Sequence, residues 1–293
     1  MTSRQPPLAT GIPGGRASSR LDPARPGAVS WSLRIFLLVL YTLPLFWLFM
    51  TSLEPPGNVG GPAVDMFVFR PTLESYQAAL NGGLLNAVLQ SLIIASGATA
   101  LTLAVALPAA YGLAQVRRRT VVVGLGALVG LQMLPQTATI IPLFQVFGTV
   151  HLLDTQLAVI LADAALLAPW ATLLLRPFFR AVPEALEEAA ALDGASQLRT
   201  FTSVCLPIAR NGAATVGTLV FMISWGEFLY AINLILSPGK YPISALLAEQ
   251  ISQFSSNWPN LMALAAVTAV PIMVLFVFTY RFLRSGLTLG AVK

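Results

Sequence analysis

Cysteine and histidine are almost missing from this sequence: among 293 residues there is one of each, Cys205 and His151. A single cysteine excludes an intrachain disulfide. So few ligands also exclude a zinc site built from histidine and cysteine, and a nucleophile–histidine pair could arise only by accident. His151 lies between two apolar blocks and reads as a solvated loop residue. Charge is scarce as well. Asp, Glu, Lys and Arg make up 10% of the chain, against about 25% in an ordinary soluble domain, so water is the wrong solvent for most of the surface. A soluble all-helical protein would need polar faces, and the apolar blocks here lack them.

What the chain has in quantity is apolar sequence, 56% of residues, gathered in long blocks. A helix needs roughly 20 mostly apolar residues to cross a hydrocarbon core of about 30 Å, and several blocks reach that length. They predict six spans: about 33–53, the block Leu84–Ala114, about 121–148 with Pro135 and Pro142 inside, about 155–175, about 212–236, and about 261–283 around Pro271. The first is similar to a signal-peptide core, but Glu54-Pro55-Pro56-Gly57 follows in place of a small-residue cleavage site, so it reads as uncleaved. Mid-span prolines free backbone groups that neighbouring helices must satisfy, which favours a packed bundle. Residues 1–32, rich in Pro, Gly, Ser and Arg without periodicity, predict a disordered tail. The fold class is therefore all-α: a polytopic membrane protein whose single domain, 33–293, holds six transmembrane helices.

Basic residues set the orientation. With six spans, the tail, the second and fourth loops and the C-terminus share one side, and fifteen of the seventeen Lys and Arg residues fall there, Arg117-Arg118-Arg119 among them. Only Arg70 and Lys240 fall on the other. The positive-inside rule then predicts that both termini are cytoplasmic. The net charge of +5 is explained by topology and calls for no nucleic-acid partner.

The segment 180–210, between the fourth and fifth spans, carries helix punctuation throughout. Pro183 suits a first helical position, where its missing N–H is not needed. Glu184, Glu187 and Glu188 put negative charge at the positive end of the helix dipole. Leu186, Ala189, Ala190 and Leu192 supply a small apolar face. Asp193-Gly194 stops the helix, with Gly194 at the left-handed position. Ser196 can cap a second helix whose apolar side is Leu198, Phe201 and Cys205, ended by Leu206-Pro207. A short helix, a bend and another short helix are expected along the membrane face, either covering the bundle or docking a cytoplasmic partner.

This stretch, Val182-Pro183-Glu184-Ala185-Leu186-Glu187-Glu188-Ala189-Ala190-Ala191-Leu192-Asp193-Gly194-Ala195-Ser196 with Phe201 and Leu206-Pro207, resembles the EAA loop of bacterial ABC importer permeases, the binding-protein-dependent, MetI-like family. Glu188-Ala189-Ala190, Gly194 and Leu206-Pro207 carry the match. Ser224-Trp225-Gly226-Glu227-Phe228-Leu229-Tyr230-Ala231 is similar to the Trp-x-Glu-Phe segment of the sugar-importing branch, of the type of the maltose transporter's smaller permease. Gly226 stands where that pattern would have a polar residue such as Asn. The ending Gly286-Leu287-Thr288-Leu289-Gly290-Ala291-Val292-Lys293 resembles the ending usual in that branch.

The resemblance implies a type I ABC importer transmembrane domain in a bacterial-type inner membrane. It implies a heterodimer with a second permease subunit, two ATPase subunits beneath, and an extracytoplasmic solute-binding protein that delivers a sugar or sugar derivative. It places Glu187, Glu188, Ala189, Ala190, Asp193, Gly194, Ser196, Phe201, Leu206 and Pro207 in the coupling to the ATPase. This chain should need no cofactor or metal, ATP and magnesium being bound by the partners. The residues agree, because a P-loop needs Gly-Lys followed by Ser or Thr, and the only Gly-Lys pair, Gly239-Lys240, precedes Tyr241. Trp225, Glu227, Tyr230 and Asn233, with Gln132 and Gln136 of the third span, are candidates for the substrate path, since sugars stack on rings and pair with polar groups. On the alternative reading Trp225 and Tyr230 pack against neighbouring helices and Glu227 makes a structural hydrogen bond. Other solutes, such as a glycerol phosphate, would suit the same machinery. An ion-coupled transporter would find candidates in the intramembrane acids Asp163 and Glu227, but the blocks suggest no matching pair of broken helices. A membrane enzyme would need convergent titratable groups, which the spans scarcely offer.

Overall fold

Long apolar blocks with little interior charge become long helices, because in hydrocarbon every backbone polar group must be satisfied within its own segment. The computed structural model describes residues 28–55, 71–116, 118–253 and 258–289, and among them there is no strand. Helix α1 (Ala28–Ser52) is followed by α2 (Glu74–Asn81), α3 (Leu84–Gln115), α4 (Arg118–Gln132), α5 (Gln136–Thr149) and α6 (Gln156–Arg180). After these come α7 (Glu184–Leu192), α8 (Gln197–Thr200), α9 (Leu206–Gly226), α10 (Leu229–Leu234), α11 (Ile243–Gln253) and α12 (Trp258–Leu289). The predicted tail lies outside the described residues as far as residue 27, and so do the last four residues of the chain. The chain divides into two compact units, Met1–Phe46 and Trp47–Lys293.

Five helical stretches are long and apolar enough to cross a membrane, and a sixth crossing results if the bent pair α4–α5 counts as one. That pair is where the third predicted span departs from a simple helix: its two halves meet at 85°. Of the two prolines in the block, Pro135 breaks it and Pro142 does not. Pro135 stands immediately before α5 in extended backbone (φ −66°, ψ 133°), and a residue preceding proline is pushed away from helical geometry, so Leu134 cannot continue α4.

The second unit is organised by α3, α6 and α9, which pack on one another, with α12 against α9 and α2, and α4 against α6. The buried face of α3 is a run of small residues, Ala87, Ser91, Ala95, Ala98, Thr102, Ala106 and Ala110, and α6 adds Ala158, Ala162 and Ala171. With no hydrophobic drive between helices in lipid, close backbone approach through small side chains is what holds such a bundle together. The approach is tight at Gly212 of α9, where a Cβ would collide with the Phe178 ring.

Two further breaks in expectation concern the fifth span. The reading of the sequence ends the second short helix at Leu206-Pro207. In the fold α8 passes through one π-helical turn, Phe201–Cys205, directly into α9. The wide turn accommodates Pro207, whose ring would crowd the carbonyl four residues back in a regular α-helical turn and whose missing N–H leaves that carbonyl unpaired. The span then ends early, at Gly226, and Glu227-Phe228 separates it from α10. Paired breaks, which the apolar blocks did not suggest, are therefore present, one before α5 and one before α10. Two short helices, α2 and α11, were not foreseen at all, and α10 is the separated end of the predicted fifth span.

Candidate functional site

At the end of the bundle where α3, α6 and α9 meet the segment 180–210, α7 forms over the predicted residues. Its carboxyl end is a Schellman motif: the Ala195 N–H donates to the Ala190 carbonyl at 2.9 Å and that of Gly194 to Ala191 at 3.0 Å. That closure needs a left-handed residue, and Gly194 supplies it with φ +78°. Ser196 then caps α8, its Oγ accepting from the Arg199 N–H.

The two adjacent glutamates of α7 do different things. A helix turns about 100° per residue, so they cannot share a face. Glu187 is half-buried and accepts hydrogen bonds from Tyr111 Oη, at 3.3 Å, and from Gln115 Nε2, both at the end of α3. Glu188 is exposed, as are Ala189, Asp193, Gly194 and Ser196. Below α7, the rings of Tyr111, Phe179 and Phe201 meet with centroids 5.2–6.0 Å apart, and Cys205 is fully buried beside them. Of the apolar side expected for the second helix, Phe201 and Cys205 turn inward, whereas Leu198 is 72% exposed and Leu192 of α7 is 90% exposed. Pro207 is exposed and Leu206 half-buried. The loop is thus fastened to the bundle by one face and presents an uncovered apolar and acidic face on the other.

The second group of candidates gathers around the two breaks. Glu227 has extended backbone (φ −68°, ψ 129°), and its carboxylate turns back over the start of α10. Oε1 accepts from the Tyr230 N–H at 2.9 Å and from Gln136 Nε2 at 2.7 Å, and Oε2 accepts from the Ala231 N–H at 3.4 Å. The Glu227 carbonyl accepts from Ser244 Oγ at 2.6 Å. Thr139 Oγ1 donates to the Gln136 carbonyl at 2.6 Å, so in its 2.7 Å contact with Tyr230 the phenol is the donor. Gln132 Nε2 donates to the Leu166 carbonyl and Asn233 Nδ2 to that of Leu229.

The aromatic candidates are placed otherwise. Trp225 is 1% exposed, stacks on Phe221, and donates its indole N–H to the Thr268 carbonyl of α12. Tyr230 is 2% exposed, in a core shared with Ile94, Phe147 and Val159. Both pack within the chain. Gln132, Gln136, Glu227 and Asn233 are half-buried. Asp163 is sealed between α6 and α9 and accepts from Ser224 Oγ.

The opposite end of the bundle holds a polar cluster that sequence reasoning missed. Asp154, in left-handed backbone (φ 62°), accepts from the N–H groups of Leu236 and Ser237 and from Ser237 Oγ, and pairs with Lys240 Nζ at 2.6 Å. Lys240, with the Ser237 groups next, holds the Asp154 carboxyl well below the usual carboxylate range. The turn before α6 is thereby strapped to the connection between α10 and α11. The only sequence signal was that Asp154 and Lys240, one of two bases there, fall on the same side of the predicted topology.

Comparison with known proteins gives one family, two relatives and one solved structure. The family described as "Binding-protein-dependent transport system inner membrane component" matches residues 104–288. The sulfoquinovosyl glycerol transport system permease protein of Agrobacterium fabrum is 31% identical over 258 residues, 88% of this chain and 90% of that one. The trehalose transport system permease protein of Mycobacterium tuberculosis is 31% identical over 271 residues, 91% and 98% of the two chains. Among solved structures, a bacterial ABC transporter involved in the import of the acidic polysaccharide alginate superimposes with a TM-score of 0.72, covering 92% of this chain and 99% of that one at 20% identity.

Proposed function

The chain belongs to the family of binding-protein-dependent transport system inner membrane components, and from that premise we propose that it forms half of the membrane path of an ATP-driven importer of a sugar or sugar derivative. A second permease subunit completes the path, two ATPase subunits bind beneath, one of them at the segment 180–210, and a solute-binding protein delivers the substrate. Both termini and Arg117–Arg119 face the cytoplasm, on the fifteen-to-two split of basic residues. ATP and magnesium are held by the ATPase partners.

The observation that carries the coupling role is the exposed face of α7 and α8. Glu188, Ala189, Asp193 and Gly194 stand clear of the bundle, beside Leu192 and Leu198, which none of the described residues covers. Small residues let a partner approach closely, and a carboxylate becomes a strong acceptor once docking removes water. Glu187, Phe201, Leu206 and Pro207 act from behind, holding the loop and leading it into α9. The sugar assignment is supported by relatives whose names specify trehalose and sulfoquinovosyl glycerol transport. For the path, the half-buried Gln132, Gln136, Glu227 and Asn233 supply polar groups on this chain.

The complex, reconstituted in proteoliposomes with its ATPase and binding protein, should accumulate one of radiolabelled trehalose, maltose, diacetylchitobiose or sulfoquinovosyl glycerol when ATP is supplied. Accumulation of glycerol 3-phosphate in place of all four would replace the sugar assignment. Labelling of an Arg118→Cys variant by an impermeant thiol reagent from outside the cell would refute the orientation.

A further inference from the structure

The two breaks in the spans are joined to each other, and the joint sits at the end of a long rod. From Gln197 to Gly226 the backbone is helical without interruption, 30 residues or about 45 Å at 1.5 Å per residue. One end of this rod is the segment α7–α8. The other end is Glu227. There the carboxylate holds the first N–H groups of α10 and the amide of Gln136, the first residue of α5. A second contact, Tyr230 to Thr139, runs parallel to it across the same gap. The segment α5 packs otherwise against α6 and α10, and its hinge with α4 is the 85° bend at Pro135.

We propose that Glu227 is a positioning residue, a latch that ties the break before α10 to the break before α5, so that displacement of the α7–α8 segment is passed through α9 to α5. The inference rests on the reading of the chain as an importer permease. A charged acceptor suits the task because its hydrogen bonds are roughly twice as strong as neutral ones. One carboxylate here serves three donors from two segments. Gln136 contributes only its side-chain amide to the contact, which makes it the better residue to change. Removing Glu227 would leave the first N–H groups of α10 without an acceptor and disturb folding.

The test uses the full complex in proteoliposomes and reads sugar accumulated per ATP hydrolysed, for the sugar that the wild-type complex takes up. Gln136→Leu should lower this ratio about tenfold, the effect of losing a hydrogen bond to a charged group, with ATPase subunit recovery retained. Gln136→Glu sets two carboxylates against each other and should lower it further. The exchange Gln136→Glu with Glu227→Gln restores one donor and one acceptor across the gap, and should recover most of the ratio. An unchanged ratio in Gln136→Glu, or an exchange variant no better than Gln136→Glu alone, overturns the latch. Failure of the wild-type complex to accumulate any sugar would instead overturn the function on which the latch rests.

Discussion

Replacing Gly194 isolates a backbone effect, because nothing lies within 4 Å of where its Cβ would stand and its φ is +78°. No clash inside the chain contributes, so the cost is conformational. An L-residue in left-handed backbone costs roughly 1–2 kcal/mol. Against that, alanine restricts the unfolded chain and returns about 0.4–1 kcal/mol. The net for Gly194→Ala is about 1 kcal/mol against the bent loop, or roughly a fivefold loss of the docking-competent population. Asparagine tolerates the left-handed region, so Gly194→Asn should fall between glycine and alanine, while the β-branched valine should be the most impaired. The assay is recovery of ATPase subunit on tagged permease, with binding-protein-stimulated ATP hydrolysis, in membranes holding equal amounts of each variant. Alanine equal to glycine would refute the backbone argument. Asparagine as impaired as valine would show that side-chain volume at the docked face, and not φ, is the operative quantity.

Other outcomes follow from the same geometry. Glu187→Ala should loosen α7 from α3, raising protease cleavage within 184–196 in the permease alone, whereas Glu188→Ala should leave cleavage unchanged and weaken only ATPase recovery; matching cleavage profiles would refute the division between them. Trp225→Ala removes a fully buried ring and its hydrogen bond to Thr268, and should cost about 3–5 kcal/mol of stability, read as a lowered melting temperature in detergent. Asp154 has its pKa depressed in the fold, chiefly by Lys240, so its contribution is full above the unfolded value near 3.9 and is lost only as pH falls through the folded value. Amide exchange protection at Leu236 and Ser237, corrected for intrinsic rate, should therefore stay flat from about pH 5 to 8 and drop at neutral pH in Asp154→Asn; a decline in the wild type within that range would count against the strap.

How far the sequence could be read depends on which forces fix each element. The long helices were legible because an apolar block in hydrocarbon has no other way to satisfy its backbone. The predicted second span, Leu84–Ala114, differs from α3 by one residue. In the segment 180–210, Pro183 and Asp193-Gly194 bound α7 where local chemistry says they must, since caps act through bonds within a few residues. Local rules failed where two answers were locally equal. Pro135 and Pro142 look alike in sequence, yet only the first breaks the helix. Leu206-Pro207 reads as a stop, but a π turn absorbs the proline, and no local signal distinguishes the two outcomes. The helices α2 and α11 lie between spans, and too few residues were available in each for a period to stand out.

The candidate path shows a different limit. Trp225, Glu227 and Tyr230 form a mixture of rings and acceptors that suits a bound sugar, and the same mixture is what a broken helix needs to close on itself. A helix that stops in mid-membrane leaves N–H groups of the next segment without partners, and in lipid each such group costs several kcal/mol. An acid placed at the break supplies the acceptor, as Glu227 does for Tyr230 and Ala231. A large ring on either side fills the space a straight helix would have occupied, and a ring with one polar atom can do so only if that atom finds a partner, as the Trp225 indole does at Thr268 and the Tyr230 phenol at Thr139. Residue type alone therefore could not separate ligand from strut. What differs is burial: Trp225 and Tyr230 are buried, while Gln136 and Glu227, though hydrogen-bonded to each other, keep a half-buried position at the junction of two segments. Any substrate contact this chain makes near the breaks has to compete with the bonds that hold them, which links binding to movement at the same few residues.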